Sequence, residues 1–387
     1  LELVEAGAQE MTVEEKREQV GETRHVIEPE IARTLPGTQG DALKAVQNLP
    51  GTARAPFGAG ALIVRGGAPE DTRVFLDGQE IPQLYHFGGL TSVVATEALS
   101  SIDFLPGGFG VRYGRALSGV VDVETRGAHA DRRSGIADVN VYNTELEAEG
   151  PVARPAVSTS GEEMASSDAP DRGRVLAAAR RSYIDAVLPL VVPADVLAFT
   201  VAPVYYDYQL RYDSPALGRG VQGHVLLYGS DDAFVFVIKK PQGDTAQVRG
   251  RFLFHTLFHR LQIPVTVPLA GNWVVTATPG VGFQSVEIVA GSLADGRGER
   301  TDLTARVEAR GPIGDGVKVL VGTDSQILQN HYVVHFPDID NRNGAGIDPQ
   351  REISASDRYP TDQLSAFAEA TWTLPRGVTL VPGVRVD

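Results

Sequence analysis

Two pairs of histidines are the residues whose type and spacing come closest to a metal site in this sequence. His255 and His259 are four residues apart, as are His331 and His335. If each pair lies on a β-strand, both imidazoles of a pair point to the same face, because side chains alternate along a strand. A metal site needs a further ligand, and no third residue stands at a suitable spacing. The sequence therefore predicts no metal site, and we interpret the repeated spacing as coincidence.

Motifs for covalent or cofactor chemistry are also missing. No Gly-x-Ser-x-Gly, Walker or His-Glu-x-x-His motif occurs in the 387 residues. The glycine-rich run Gly108–Tyr113 fails the dinucleotide fingerprint, because its third glycine position holds a tyrosine. The chain has no cysteine, which excludes a thiol nucleophile, a disulfide scaffold and cysteine-ligated metals. These absences predict a protein that is not an enzyme and that carries no cofactor.

Composition and charge narrow the class further. The formal net charge is −14, which argues against a nucleic-acid partner. The most apolar stretch, 186–204, contains three prolines and, near its centre, Asp195, which argue against a transmembrane helix. Hydropathy does not detect transmembrane β-strands, so these observations leave a membrane location open.

The polar and acidic residues 1–22 precede a segment, 23–127, that predicts a small α+β domain. Ala42–Leu49 has an amphipathic pattern ended by Pro50-Gly51, and a second short helix is expected at 96–99. Asp77-Gly78 follows an apolar run and predicts a tight hairpin, because glycine adopts positive φ without strain. Strands are expected at Ala61–Arg65, Thr72–Leu76, Ser101–Leu105 and Gly119–Arg126.

Residues 128–387 consist of long alternating strands, with Pro-, Gly- and Asp-rich breaks at 150–172 and 336–361. In 206–212 and 303–310, apolar or aromatic residues alternate with polar ones without interruption. These strands are longer than the roughly five or six residues usual in soluble proteins and favour an antiparallel transmembrane barrel. About ten strands are expected, at 136–149, 173–183, 199–213, 219–230, 248–268, 271–289, 299–311, 316–330, 362–375 and 377–387.

Several sequence blocks between residues 35 and 126 resemble the plug domain of TonB-dependent outer-membrane receptors. They occur in the family's order and at similar spacing. The blocks are Leu35-Pro36-Gly37 with Asp41-Ala42-Leu43 and Asn48-Leu49-Pro50-Gly51, then Val64-Arg65-Gly66, Val74-Phe75-Leu76-Asp77-Gly78, Ile102-Asp103-Phe104-Leu105-Pro106-Gly107 and 113–123. The motif residues that the resemblance identifies are Arg65, Gly66, Asp77, Gly78, Gly107, Tyr113, Gly114 and Gly119.

The resemblance implies a small α+β plug folded inside an antiparallel transmembrane β-barrel of about 22 strands. The chain would then divide into an N-terminal extension at 1–22, a plug domain at 23–127 and a partial barrel at 128–387. About ten strands make a barrel too narrow to hold a plug of this size. We therefore expect an incomplete barrel and a chain that is a fragment of a longer protein.

By position in the resemblance, two loops at the outer end of the plug would contact a ligand. Their residues combine aromatic with polar or cationic groups, which suits stacking and hydrogen bonding. The alternative is that these side chains only wedge the plug against the barrel. The candidate ligand-binding residues are Arg54, Phe57, Tyr85, His86 and Phe87.

The resemblance also implies a TonB box, an extended segment that pairs with TonB by strand addition. The nearest candidate is Glu10, Met11, Thr12 and Val13, although this run lacks a longer series of β-branched residues. Alternatively, Leu1–Gly7 could be the tail of a preceding small β domain, and the box would lie elsewhere.

Three arginines of the plug, Arg65, Arg112 and Arg115, are expected to pair with acidic side chains on the inner face of the barrel. The glycines of the plug motif would let its backbone pass close to this wall. The acidic candidates are Glu147, Asp207 and Glu308.

The function that the resemblance implies is active import of a scarce nutrient across the outer membrane of a Gram-negative bacterium. Ferric siderophore is the usual ligand of the family, and cobalamin, carbohydrate, peptide or another metal complex are alternatives. The expected partners are TonB, outer-membrane lipid and lipopolysaccharide, and a small extracellular ligand, without nucleic acid. A non-transporting scaffold or surface-assembly component built on the same fold is the alternative function.

Overall fold

A computed structural model describes residues 23–54, 62–86, 89, 91–152, 173–191, 204–215, 217–238, 250–291, 294–339 and 347–387. Most of this part of the chain belongs to a five-stranded sheet near the N-terminus and a 13-stranded sheet that follows it. Within these ranges, no helix is both long and apolar enough to cross a membrane.

The first sheet belongs to an N-terminal unit formed by residues 23–126. The strands of this unit are β1 His25–Ile27, β2 Thr52–Arg54, β3 Leu62–Val64, β4 Thr72–Leu76, β5 Gln79–Glu80, β6 Leu99–Leu105 and β7 Gly119–Thr125. β2 and β3 pair only with each other, and the other five form the sheet. The order in the sheet is β1-β6-β7-β4-β5, in which only β4 and β7 are parallel neighbours. Runs of β-branched and aromatic residues favour these strands, and the four strands predicted here are confirmed, with ends shifted by two residues at most.

Short helices connect these strands. They are α1 Pro29–Ala32 and 3₁₀ helices at Ala42–Asn48, Pro69–Asp71 and Thr96–Ala98. The helix predicted at 42–49 is present, but it is a 3₁₀ helix of 7 residues, because so short a segment gains little from the cooperativity of the α form. Asp41 caps it by accepting a hydrogen bond from the backbone N–H of Leu43 at 3.0 Å.

The predicted hairpin at Asp77-Gly78 joins β4 to β5. Both residues have positive φ, 47° and 82°, as a two-residue turn of the primed type requires. The carboxylate of Asp77 also accepts hydrogen bonds from the backbone and hydroxyl of Thr125, at 2.8 and 2.6 Å. The turn is therefore fixed both by its backbone conformation and by the neighbouring strand β7.

Replacing Gly78 with valine is expected to lower the free energy of unfolding by about 1–2 kcal/mol, because a β-branched residue is strained at positive φ. A new Cβ would meet only Arg306 Cδ, at 3.9 Å, so the loss would come from the backbone conformation and not from a clash. Urea unfolding in detergent micelles measures this change. Gly298→Val is the control, since nothing lies within 4 Å of its Cβ position. An equal loss in both variants would contradict the explanation.

The second sheet is antiparallel and follows chain order. α2, Ile184–Val191, comes after its third strand. The strands are β8 Ser134–Val139, β9 Asn143–Pro151, β10 Arg174–Ser182, β11 Val204–Asp213, β12 Gln222–Ile238, β13 Gly250–Gln262, β14 Val265–Leu269, β15 Trp273–Ala290, β16 Ala294–Pro312, β17 Val317–Ile339, β18 Ile347–Thr373, β19 Thr379–Leu380 and β20 Gly383–Val386.

The number of strands exceeds the predicted ten because three predicted strands are divided. The prediction of one strand at 136–149 was wrong, since β8 and β9 form a hairpin there. Asn140 makes the turn by accepting hydrogen bonds from the backbone of Tyr142 and Asn143, at 3.1 and 2.9 Å. The other two divisions lie at Pro264 and Pro382, where the strand is interrupted but continues against the same neighbours.

The prediction of a break at 336–361 was also wrong for the described part of that segment. β17 and β18 are 23 and 27 residues long and pair across most of it. β17 contains Pro337, β18 contains Pro349 and Pro360, and Pro337 lies at a shift of register. Each strand supplies hydrogen-bond partners for the backbone of the other. A polar sequence can therefore stay in β conformation although the strands are longer than the roughly 9–11 residues that cross a bilayer.

The second sheet has a polar inner face and an apolar outer face. In β16, Asp302, Thr304 and Arg306 are buried, whereas Leu303 and Val307 are 57% and 41% exposed. This alternation confirms the pattern predicted at 303–310, and its polarity is the reverse of that in a soluble protein.

The N-terminal unit packs against the polar inner face. Gln79 donates a hydrogen bond to the carbonyl of Thr278 at 2.6 Å, and Gln262 donates to the carbonyl of Leu76 at 3.0 Å. The main hydrophobic core lies inside the N-terminal unit and extends to the second sheet. The sheet residues that join it are Leu226, Tyr228 and Phe258.

Candidate functional site

The most deeply buried charged contact between the N-terminal unit and the second sheet centres on His86. Its Nδ1 lies 2.7 Å from Asp232 Oδ1 in β12, and its Nε2 lies 2.9 Å from Asp207 Oδ2 in β11. The imidazole is fully buried and stacks on the ring of Tyr205 at a centroid distance of 4.0 Å. An inward-facing aspartate from each of two neighbouring strands thus holds one side chain of the N-terminal unit.

His86 must be positively charged to satisfy this arrangement, because only the imidazolium donates a hydrogen bond from each ring nitrogen. Burial by itself would lower the pKa of His86. The charges of Asp232 and Asp207, with their hydrogen bonds, outweigh burial and raise the pKa above its usual value of about 6.5. The charged imidazolium is therefore favoured, and in that form the contact is an ion pair with two carboxylates.

A raised pKa makes the stabilisation by His86 dependent on pH in a defined direction. It is fully present below the pKa of the unfolded chain, about 6.5, and is lost as pH rises through the higher pKa of the folded protein. The difference in free energy of unfolding between the parent and His86→Gln should therefore shrink on alkaline titration. Urea unfolding at a series of pH values measures it. A difference that stays constant or grows with pH would contradict a charged His86.

Arg180 of β10 completes the contact. Its guanidinium donates to Asp207 Oδ2 at 2.8 Å and to the hydroxyl of Thr91 at 2.8 Å, and it also donates to the carbonyl of Ser92. We call His86, Arg180, Asp207 and Asp232 the His86 cluster. The cluster contacts both ends of one loop of the N-terminal unit, His86 at one end and Thr91 and Ser92 at the other. The backbone N–H of His86 donates to the carbonyl of Thr91 at 2.9 Å and joins the two ends.

The same loop is tied back to the N-terminal unit by Asp41. Its carboxylate accepts from the hydroxyls of Thr91 and Ser92 at 2.9 and 3.0 Å, and from the backbone N–H of Ser92. Because Asp41 also caps the helix at 42–48, this one buried carboxylate connects the helix to the loop that the His86 cluster holds.

Arginines of the N-terminal unit form a second, more exposed set of contacts. Arg112, one of the three arginines expected to pair with the inner face, has its Nε 3.0 Å from Oε1 of Glu308, one of the acidic candidates. Arg115 instead bonds to Asp324 at 3.1 Å, and it also donates to Gln363. Arg115 thus pairs with the inner face as expected, but with a carboxylate that was not among the candidates, because the register of β17 brings Asp324 to this height.

The other two acidic candidates have partners outside the three predicted arginines. Glu147 pairs with Arg126 at 3.0 Å, an arginine that the sequence did not single out. Asp207 belongs to the His86 cluster. Arg65 is exposed, and its guanidinium lies against the N-terminal unit itself, with Nη1 2.7 Å from the Cβ position of Gly107. The described structure does not show the predicted pairing of Arg65 with the second sheet.

Residues 15–120 match the family described as TonB-dependent Receptor Plug Domain. The chain contains a TonB-dependent receptor plug. No curated protein sequence matches the chain significantly. The 13-stranded antiparallel sheet that follows the plug in this chain fits part of the barrel of such a receptor.

Three of these structures illustrate the likeness. The ferripyoverdine receptor of Pseudomonas aeruginosa has a TM-score of 0.64 at 13% identity over 95% of this chain and 51% of that one. YddB, an outer membrane transporter from Escherichia coli, has a TM-score of 0.59 at 12% identity, over 94% of this chain and 56% of that one. The alcaligin receptor FauA from Bordetella pertussis has a TM-score of 0.60 at 13% identity, over 96% of this chain and 55% of that one. At such identities the likeness shows the fold, and the chain spans about half the length of these receptors.

The plug motif residues occupy positions with clear structural demands. Arg65, Gly66, Asp77, Gly78 and Gly107 all have positive φ. The other three motif residues lie close to neighbouring groups. The Tyr113 hydroxyl donates a hydrogen bond to Asp122 at 2.6 Å. The backbone of Gly114 lies against the guanidinium of Arg385, and the Cβ position of Gly119 is 3.0 Å from Val64. Burial raises the pKa of Asp122. The charge of Arg112 and the hydrogen bond from the Tyr113 hydroxyl lower this pKa, but they offset only part of the rise.

Of the predicted ligand-binding residues, the structure describes the side chains of Tyr85 and His86. Both are fully buried, and the Tyr85 hydroxyl donates to the carbonyl of Leu43 at 2.8 Å. This bond of Tyr85 lies within the plug and those of His86 reach the barrel, and a role of either residue in ligand binding stays a prediction. The side chain of Arg54, together with Phe57, Phe87 and the TonB-box candidate at 10–13, lies outside the described residues.

A cavity of about 450 Å³ lies beside this loop, between the plug and strands β13, β15 and β16. Two adjoining arginines carry its positive charge. Arg73 of the plug pairs with Glu80 at 2.6 Å, and Arg300 of the barrel donates to Gln284 at 2.8 Å. The lining residues from this loop are Gln83 and Leu84, which belong to the run 83–87 that the resemblance places at the ligand, although they are not among its five candidate residues. The cavity combines apolar walls with a few polar groups, as ligand sites commonly do.

Proposed function

We propose that the protein is a TonB-dependent importer in the outer membrane of a Gram-negative bacterium. The observation that carries the proposal is a plug domain packed on the polar face of a barrel sheet and held there by charged contacts. A sheet with this polarity suits a lipid environment, because the apolar side chains of β16 face outward and the polar ones face the plug. The outer surface would contact outer-membrane lipid and lipopolysaccharide.

The proposed ligand is a ferric siderophore. Two of the similar structures are receptors described as binding ferripyoverdine and alcaligin, and others are described as receptors of ferric enterobactin. The cavity beside the plug, with Arg73 and Arg300 on its wall, is the described site at which such a ligand would first contact both domains.

Transport would couple ligand binding to movement of the plug. Ligand contact in the cavity would weaken the interface between plug and barrel, and TonB would pull on the segment that precedes residue 23. The TonB-box candidate at 10–13 stays a prediction in this scheme. Since proteins of similar fold are transporters and receptors, we propose a transport role and no catalytic one.

Uptake of radioactive iron tests the proposal. The full-length gene product is expressed in a Gram-negative host that lacks its own ferric receptors, together with the TonB of the source bacterium. Ferripyoverdine, ferric enterobactin and ferric alcaligin are supplied in turn. We expect accumulation from at least one of them, lost when TonB is deleted. Absence of uptake, or uptake that does not need TonB, would contradict the proposal and favour a non-transporting scaffold.

A further inference from the structure

A smaller cavity, of about 80 Å³, lies between the plug and the barrel next to the larger one. Four arginines line it, two from the plug and two from the barrel, together with two carboxylates. In chain order, the charged lining residues are Arg73, Glu80, Arg115, Arg260, Arg300 and Asp302. At about 30 Å³ for each water molecule, the cavity has room for roughly two or three waters or one small ion. Its walls therefore carry an excess of positive charge around a space that suits a small anion.

The protein satisfies the arginines of this cavity only in part. The Nε atoms of Arg115, Arg260 and Arg300 are buried and have no hydrogen-bond partner. Nη2 of Arg300 donates to the amide oxygen of Gln284 at 2.8 Å, but this oxygen is neutral and does not compensate the charge. Burying a cation is costly unless an opposite charge and hydrogen-bond acceptors accompany it. An anion in the cavity would supply both.

The backbone of the plug is strained at Arg115, where it enters the cavity wall. Arg115 has a φ of 60°, in the left-handed region that residues with a side chain rarely adopt. Its Nη1 donates to Gln363 at 2.7 Å, and its Nη2 lies 3.1 Å from Asp324 and 3.8 Å from Glu80. Arg73 Nε donates to the carbonyl of Arg115 at 3.1 Å. The strained residue is thus fixed by its contacts, and it holds two plug arginines against the barrel.

One carboxylate oxygen at the cavity would distinguish between small anions. Asp302 forms an ion pair with Arg260 through Oδ2, whereas its Oδ1 is buried and has no hydrogen-bond partner. A fully ionised anion would be repelled by this oxygen, but an anion that keeps a hydrogen could donate to it. At about pH 8, inorganic phosphate keeps one hydrogen, whereas sulfate and phosphate monoesters have lost theirs.

We propose that this cavity is a binding site for inorganic phosphate, which joins the plug to the barrel. The guanidinium groups donate to the oxygens of the ion, as arginines do at phosphate sites, and the hydroxyl of the ion donates to Asp302 Oδ1. Because the arginines come from both domains, the ion contacts both. The inference does not depend on the proposed import, since the site needs neither a siderophore nor TonB.

Retention of radioactive phosphate tests the site. The full-length protein in detergent micelles is dialysed to equilibrium against labelled phosphate at about pH 8 and constant ionic strength, because salt screens charged contacts. Unlabelled phosphate, sulfate and glycerol 3-phosphate are compared as competitors. We expect phosphate to displace the label at a concentration at least about tenfold lower than the other two, because it alone makes the hydrogen bond to a charged oxygen.

Substitutions in β16 assign the binding to this cavity. Arg300→Gln should weaken retention by about tenfold or more, because it removes a charged donor, and Arg300→Lys should restore part of it by keeping the charge. Asp302→Asn should remove the preference for phosphate over sulfate, because an amide can donate to sulfate. Arg297→Gln is the matched control. Arg297 lies on the opposite face of the same strand, where it pairs with Glu299 at 2.9 Å, so this change should leave retention unaltered.

Absence of retained label, or retention that Arg300→Gln leaves unchanged, would overturn the proposal and show that the cavity holds water only. Equal displacement by sulfate would also overturn it, since Asp302 would then select nothing. Bound phosphate should raise the urea concentration at which the parent unfolds, and it should not do so for Arg300→Gln. The measurements use no iron, siderophore or TonB. Their failure is therefore distinct from failure of the uptake test, which concerns the proposed function.

Discussion

Replacing His86 with glutamine is expected to lower the free energy of unfolding of the plug by about 3–5 kcal/mol, the cost typical of removing one partner from a buried ion pair. Asp207 and Asp232 would remain as buried carboxylates facing a neutral side chain, at contacts that are now 2.9 and 2.7 Å. Urea unfolding of the purified protein in detergent micelles measures the change.

The control for this prediction is His255→Gln. His255 and Asp231 are also 2.7 Å apart, but their side chains are 29% and 46% exposed, and a solvent-exposed ion pair contributes about 1 kcal/mol or less. Asp231 and Asp232 are adjacent in β12, so the two pairs share a strand and differ in burial. Similar losses in both variants would show that burial does not give the His86 cluster its strength.

Removing the carboxylate of Asp41 is expected to have the second-largest effect. Asp41→Ala should lower the free energy of unfolding by about 2–4 kcal/mol, because it removes a helix cap and leaves buried donors unpaired. These donors are the backbone N–H groups of Leu43 and Ser92 and the hydroxyl of Thr91. The same unfolding measurement applies, and Asp41→Asn should lose less because its amide oxygen still accepts.

Asp71→Ala is the control that separates the loss of buried hydrogen bonds at Asp41 from the loss of an ordinary helix cap. Asp71 accepts one hydrogen bond, from the backbone N–H of Ala68 at 2.9 Å, in an exposed turn. Its loss should amount to about 1 kcal/mol or less. If Asp41→Ala costs no more than Asp71→Ala, then Asp41 does not connect the helix at 42–48 to the loop in the way that we describe.

Local patterns were sufficient to predict much of the fold. The Asp77-Gly78 turn was predictable because its conformation is decided by two adjacent residues. The alternation at 303–310 was predictable because inward and outward positions differ in polarity along one strand. The paired strands at 336–361 were not predictable in this way, since each is stabilised by its neighbour more than by its own sequence.

The same distinction holds for the contacts of the plug. Arg112 and Glu308 could each be named as candidates for contacts between plug and barrel, because the plug blocks located one and the strand alternation located the other. The partners of His86 could not, because Asp207 and Asp232 are 121 and 146 residues away in sequence. In addition, only the fold shows which of the adjacent aspartates in β12 faces inward. That choice depends on strand register, which a single sequence specifies weakly.

The central claim is that the plug must move against the barrel for import, and a reversible tether tests it most directly. Gly383 in β20 has its Cβ position 2.5 Å from Cγ1 of Val111 in the plug, so cysteines at both positions are close enough for a disulfide. TonB-dependent uptake of radioactive iron by cells that carry Val111→Cys and Gly383→Cys is measured before and after reduction. The account predicts uptake in reduced cells and none in oxidised cells. Equal uptake in both states would contradict it.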